Sequence, residues 1–197
     1  MMTAKTTITR ADILSLDEFA RVRKEKRAEV VAVKKNRRVG VGPFTTFYFE
    51  NYITMWWQIH EMLFIEKGGE EQIADELAAY APLVPKGREL VATFMIEIDD
   101  PVRRQAMLAK LGGIDEAIFL EFGSHKIKAV PEDDTERTRE DGKTSSVHFL
   151  RFPFTDEQVA AFKTPGSRVV IGVEHPEYGH LAVMPEAVRE SLSQDFV

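Results

Sequence analysis

The stretch FENYITMWWQIHEMLFIEK, Phe49 to Lys67, constrains the fold more than any other part of the chain. Asn51 stands where a helix N-cap would, and Gly68-Gly69 where the helix would stop. Between them Met55, Trp56, Ile59, Met62, Leu63 and Phe64 leave little polar circumference. A helix this apolar is expected to be buried on most of its sides. Three polar residues interrupt it. Thr54, Gln58 and Glu61 lie within roughly 60° of one another on a helix, and Glu50, just ahead, can reach the first turn. Two readings stay open. The stripe is the solvent edge of a core helix, or it is the wall of a site. In the second case a buried Glu needs a metal, an Arg, or a raised pKa suited to proton transfer. His60 falls on another face, near Lys67, and is expected to be exposed or half-buried. HEMLF is not a zinc-protease helix, because the position of the second His is Phe64.

The elements around this helix follow from local chemistry. Ser15 and Glu18 have capping-box spacing, and a long helix is expected from Leu16 to Lys35 with a thin apolar edge. RRVGVGPFTTFYFEN reads as a β-hairpin, and EEQIADELAAY as a shorter helix stopped by Pro82 and Pro85. From Glu89 onward the order is strand, helix, strand, strand, strand, helix, strand, with a terminal helix in PEAVRESLSQ. That order resembles a ferredoxin-like α+β core with an added hairpin strand. The expectation is a mainly antiparallel sheet with helices on one face, in a single domain spanning residues 1–197, with the basic segment 1–38 packed on it. PEDDTERTREDGKTSS reads as a charged loop without regular structure.

Composition narrows the chemistry. The chain has no cysteine, which excludes thiolate zinc sites, cysteine-ligated clusters and thiol catalysis within it. No apolar run approaches the ~20 residues of a membrane span, and MMTAKTTITRADIL lacks the apolar core of a secretory signal. A cytoplasmic protein is expected. The net charge of −6 conceals an asymmetry, since residues 21–38 hold nine Lys or Arg against two Glu. A basic segment on an acidic body suits an anionic ligand or an acidic partner, with Arg23, Lys26 and Arg27 as candidate partner-binding residues. Nucleic acid is the weaker reading, because this segment offers no aromatic for base stacking.

Other candidates are thinner. Glu174, His175, Glu177, Tyr178 and His180 in VEHPEYGH suit a metal by residue type but match no ligand spacing, so a polar turn is expected. His148 in VHFLRF reads as a packing residue of a strand. The GVG at Gly40 has neither the glycine spacing nor the following helix of a dinucleotide site. Catalytic candidates are therefore Glu61, Gln58 and Glu50, and metal candidates Glu61, His148 and His175, the two histidines joining only if the helix packs across the sheet. No cofactor can be named.

The phrases TRADILSLDEF, RRVGVGP, FEN, QIHEM, ELVATFMIEI, HFLRFP and EHPEY, in order along nearly the whole chain, resemble an uncharacterised bacterial family, domain-of-unknown-function family 3501. Its pattern corresponds here to Glu50, Gln58, Glu61 and Met62, with the Arg151 and His175 phrases later. His60 stands where the pattern has Gln. The resemblance implies a redox or oxidative-stress setting, because the family is often encoded beside rubrerythrin-like proteins and iron–sulfur proteins similar to heterodisulfide reductase subunits. Two functions fit. One is an accessory protein that docks such a redox partner through the basic helix. The alternative is a metal- or small-molecule-binding enzyme using the Glu50/Gln58/Glu61 stripe. The first is preferred, because no catalytic constellation is complete.

Overall fold

A computed structural model describes residues 5–132 and 143–197. Much of the expected charged loop, residues 133–142, lies outside the described residues. The elements are α1 (Leu16–Lys35), β1 (Arg38–Val41), β2 (Thr45–Glu50), α2 (Tyr52–Glu66), α3 (Gly69–Tyr80), β3 (Glu89–Ile96), α4 (Pro101–Leu108), β4 (Ile118–Phe122), β5 (His125–Lys128), β6 (Val130–Pro131), β7 (Val147–Pro153), α5 (Asp156–Lys163), β8 (Val169–His175), β9 (Tyr178–Val183) and α6 (Glu186–Leu192). The fold is α+β with antiparallel pairing throughout, as the sequence indicates. Caps fall where side-chain chemistry puts them. Ser15 with Glu18, Asn51 with Thr54, Asp100, and Thr155 with Gln158 each satisfy N–H groups that their helices leave open.

The strands divide between two sheets, in the orders β1-β2-β3-β7-β6 and β5-β4-β8-β9. The ferredoxin-like succession of elements is present from Glu89 on, but β3 and β7 join the N-terminal hairpin while β4 and β8 pair with each other. The reason is apolar alternation. Leu90, Ala92 and Phe94 of β3 and Leu150 and Phe152 of β7 share one core with Leu120 and Phe122 of β4 and Ile171 and Val173 of β8. Two half-apolar sheets bury their rows most fully by facing each other. β9 is the element that the reading of VEHPEYGH lacks: the polar turn at Pro176-Glu177 is there, but it joins two paired strands.

The odd-numbered residues of β3 face the other way. Val91 belongs to a second cluster with Met55, Ile59 and Leu63 of α2, Leu83 and Val84 of the turn after α3, and Ile8 and Ile13 of the N-terminal strap. Thus α2 lies against the outer face of the first sheet, and α1 lies on α2. The link between α1 and α2 is Phe19, 1% exposed, whose ring meets Trp56, Trp57, His60 and Phe64 of α2 at centroid distances of 4.9–5.9 Å. Most of the apolar circumference of α2 is covered by sheet, strap, α1 and α3 together, with Ile65 near its end left exposed.

The two sheets also meet at an edge. The Tyr178 hydroxyl donates to the Val41 carbonyl at 2.8 Å and accepts from the Phe44 amide at 3.3 Å. Gly42, between them, has φ +70°, and a Cβ there would collide with the Tyr178 hydroxyl and the His180 ring. Gly40, two residues earlier, has no such neighbour; its nearest atom would be the Thr45 carbonyl oxygen at 3.9 Å. Gly42→Ala is therefore expected to lose about 2 kcal/mol or more, while Gly40→Ala changes stability by less than about 1 kcal/mol. Urea denaturation of the two variants checks this.

Candidate functional site

The polar stripe of α2 is mostly internal. Arg23 of α1 meets Glu61 with two parallel bonds, Nε to Oε1 at 2.7 Å and Nη2 to Oε2 at 2.8 Å. Its guanidinium also lies 4.9 Å from the centre of the Phe64 ring. Fork-on-fork geometry satisfies both carboxylate oxygens and fixes the roll of α1 on α2. Thr54 is 1% exposed and Glu50 7%. The Glu50 carboxylate accepts the Thr54 hydroxyl at 2.6 Å and the Thr93 hydroxyl at 2.7 Å, which ties β2, α2 and β3 together. Gln58 is half-buried. The burial reading of the stripe thus holds for Glu50 and Thr54, and Glu61 has an Arg for a partner. In this arrangement the two carboxylates act as structural acceptors.

His60 is 1% exposed, contrary to the expectation of an exposed or half-buried ring. The difference comes from α1 and the N-terminal strap, which cover a face that the helix pattern of α2 alone leaves open. Nδ1 lies 2.7 Å from the Trp56 carbonyl, which can only accept, so the proton sits on Nδ1. Nε2 then accepts the Leu14 amide at 3.0 Å. Burial, opposed by the bond to Trp56, pushes the imidazole pKa down, so the neutral ring is the native form. The strap is held further by Trp56 Nε1, which donates to the Asp12 carbonyl at 2.9 Å, and by the Tyr52 hydroxyl, which donates to the Asp12 carboxylate at 3.0 Å. Burial works to raise the Asp12 pKa, but the Thr9 amide and hydroxyl, Lys5 and Tyr52 outweigh it and bring it to about 2.

The two candidate metal histidines lie elsewhere. His148 is fully buried on the inner face of the first sheet, beside Phe94, whereas Glu50 and Thr93 are on the outer face. His175 is on the second sheet, where Nε2 donates to the Gly112 carbonyl at 3.1 Å and Nδ1 accepts the Glu177 amide. The structure does not bring Glu61, His148 and His175 together, because a sheet stands between the stripe and both rings. Among the described residues no group of three or more His, Asp or Glu is placed to hold a metal. His148 does sit between Asp115, 3.1 Å from Nδ1, and Thr144, whose hydroxyl is 3.2 Å from Nε2. That order imitates a nucleophile triad, but Nε2 also lies 2.9 Å from the Ser145 carbonyl. A nitrogen facing a carbonyl is a donor, so it cannot take a proton from the hydroxyl.

Two features remain open to solution. The first is the side of α1. Lys24, Arg27, Lys34 and Lys35 are exposed and make no ion pair with the described residues, while Arg23 is held by Glu61 and Lys26 by Glu29. With Val31, 63% exposed, these four cations fall within about 100° on the helix. The second is a cavity of about 670 Å³ between the end of α1, the start of α2 and the C-terminal turn. Its walls include the buried pair of Arg37 and Asp195. Neither residue stands out in the sequence: Arg37 is one of nine cations in its segment, and Asp195 lies 158 positions away in a plain polar terminus.

Two measurements test these assignments. Burial lowers the His60 pKa in the native state, so its contribution to stability is full above the ordinary imidazole value of about 6.5. As the pH falls from about 6.5 to 5, the unfolded ring protonates first and stability declines. Urea midpoints across that window are expected to drop for the parent and to flatten in His60→Gln. Separately, Glu61→Gln leaves half of the Arg23 fork and is expected to cost about 1 kcal/mol without unfolding the chain, read from the same denaturation curves.

A search of curated proteins finds no match. A crystal structure of a novel protein of unknown function from Burkholderia pseudomallei is 41% identical, covers 97% of this chain and 100% of its own, and superposes with a TM-score of 0.89. The model of the family described as "Protein of unknown function (DUF3501)" matches residues 7–196. The chain belongs to that family.

Proposed function

We propose that the protein is a non-catalytic accessory module that docks an acidic partner protein on the cationic stripe of α1. The observation that carries this reading is the set Lys24, Arg27, Lys34 and Lys35, free of ion pairs among the described residues and arranged around the exposed Val31. Charges of one sign on one helix face raise the encounter rate with an opposite surface, and an apolar centre gives that encounter something to bury. Arg27 from the original trio belongs to this face; Arg23 and Lys26 are engaged within the protein.

The kind of partner follows from the family resemblance, which implies a redox setting with rubrerythrin-like or iron–sulfur proteins nearby. The metal- or substrate-binding use of Glu50, Gln58 and Glu61 is the weaker reading, because Glu50 and Glu61 already have internal donors for their carboxylates.

The test is a direct binding measurement, by biolayer interferometry, against the rubrerythrin-like protein of the same source. Binding is expected to weaken with salt, and the triple reversal Lys24→Glu, Arg27→Glu, Lys34→Glu is expected to weaken it by about a hundredfold or more. No binding by the parent, or equal binding by the reversed protein, overturns the proposal.

A further inference from the structure

The cavity of about 670 Å³ falls within the roughly 300–1,000 Å³ usual for small-molecule sites. Ala32 and Val33 of α1, Ile53 of α2 and Pro85 give it apolar walls, and the Tyr52 side adds an aromatic residue. Asn36, Asn51 and Gln194 bring amides to the same space. Asn51 uses its Oδ1 to cap α2, accepting the Thr54 amide at 3.0 Å, which leaves its NH₂ as the group available to a ligand.

The chemistry of the floor is set by Arg37, which is 2% exposed. Nε donates to the Phe49 carbonyl at 3.0 Å, Nη2 to the Glu50 carbonyl at 3.0 Å and to Asp195, and Nη1 to the Ser191 carbonyl at 3.4 Å. A guanidinium has five N–H donors. These bonds occupy four, and the fifth belongs to Nη1, whose existing bond is the longest of the set. Lys5 at the rim is paired with Asp12 at 3.2 Å, and the negative group in the lining, Asp195, is held by Arg37. The donors left over, Arg37 Nη1 and the Asn51 amide, favour an acceptor such as a carboxylate, and the remainder of the cavity favours hydrocarbon.

We infer that this cavity binds a small organic monocarboxylate with an apolar body, its carboxylate toward Arg37 Nη1 and the Asn51 amide, its body along Val33, Ile53 and Pro85. The site is independent of the docking face, since none of Lys24, Arg27, Lys34 and Lys35 lines it. It uses residues that no spacing in the sequence connects.

The test is an NMR titration of the ¹⁵N-labelled protein with octanoate, and in parallel with octanol and octylammonium, each below its micelle concentration. Octanoate is expected to give saturable shifts at Asn36, Asn51, Tyr52 and Ile53 and to bind at least about tenfold more tightly than octylammonium. Ala32→Trp, at an exposed helical position in the cavity wall, fills the space and is expected to weaken octanoate by about tenfold or more. Ala28→Trp, one turn earlier, exposed and outside the lining, is expected to leave it unchanged. Because both variants sit on the exposed side of α1, circular dichroism of each is expected to match the parent. Absence of saturable shifts, equal affinity for the three head groups, or octanoate binding indifferent to Ala32→Trp overturns the inference.

Discussion

Arg37 is the residue on which the arrangement of the described layers most depends. It follows α1 directly, and its side chain turns inward to bond two carbonyls at the end of β2, one at the end of α6, and the carboxylate of Asp195. Three parts of the chain, the end of α1, the end of β2 and the C-terminal turn, are thus joined at one cation. Burying a guanidinium is expensive unless its donors are met, and here the backbone of β2 and the C-terminal turn meet them. Burial pushes the Asp195 carboxyl pKa up, and the charge of Arg37 opposes that shift. The pair supplies geometric specificity: it fixes where α1 leaves off, where β2 ends and where the C-terminus returns.

The same logic recurs in smaller form on α2. Its apolar sides are met by Val91 of the sheet, by Ile8 and Ile13 of the strap and by Phe19 of α1. Its polar side chains that lie mostly out of water then find partners inside. Glu61 takes the Arg23 fork, Glu50 takes two hydroxyls, and His60 takes an amide and a carbonyl. The stripe that suggests a site in one dimension also supplies interlayer ties in three. The surfaces that these ties do not use, the cations of α1 and the cavity beside Arg37, are where the proposals above place function.

Much of the fold was legible in the sequence because it depends on local chemistry. Caps at Ser15, Asn51 and Thr155 mark helix starts by side-chain hydrogen bonds to the adjoining backbone, and α2 stops at Lys67, in the left-handed conformation just before Gly68-Gly69. Alternation in ELVATFMIEI marks β3 for the same reason. The division into two sheets was not legible, because period-two patterns state which face is apolar and not which other strand it will meet. β9 was hidden by composition: YGHLAV begins with residues typical of a turn, and its outward Leu181 and Val183 remain exposed. Of the candidate stripe, the need of a buried Glu for a partner could be read, and which residues meet Glu50 and Glu61 could not. Glu61 meets a residue 38 positions away and Glu50 one 43 positions away, and Arg37 and Asp195 are farther apart still.

The most direct test of this account is a double-mutant cycle on Arg37→Met and Asp195→Asn, measured by urea denaturation at neutral pH. The account predicts that Arg37→Met alone costs about 3–5 kcal/mol and that the two changes are coupled by about 2 kcal/mol or more, because each removes the opposite charge against which the other group is buried. Additive effects within about 0.5 kcal/mol would contradict it and show that the buried pair carries no coupling of its own.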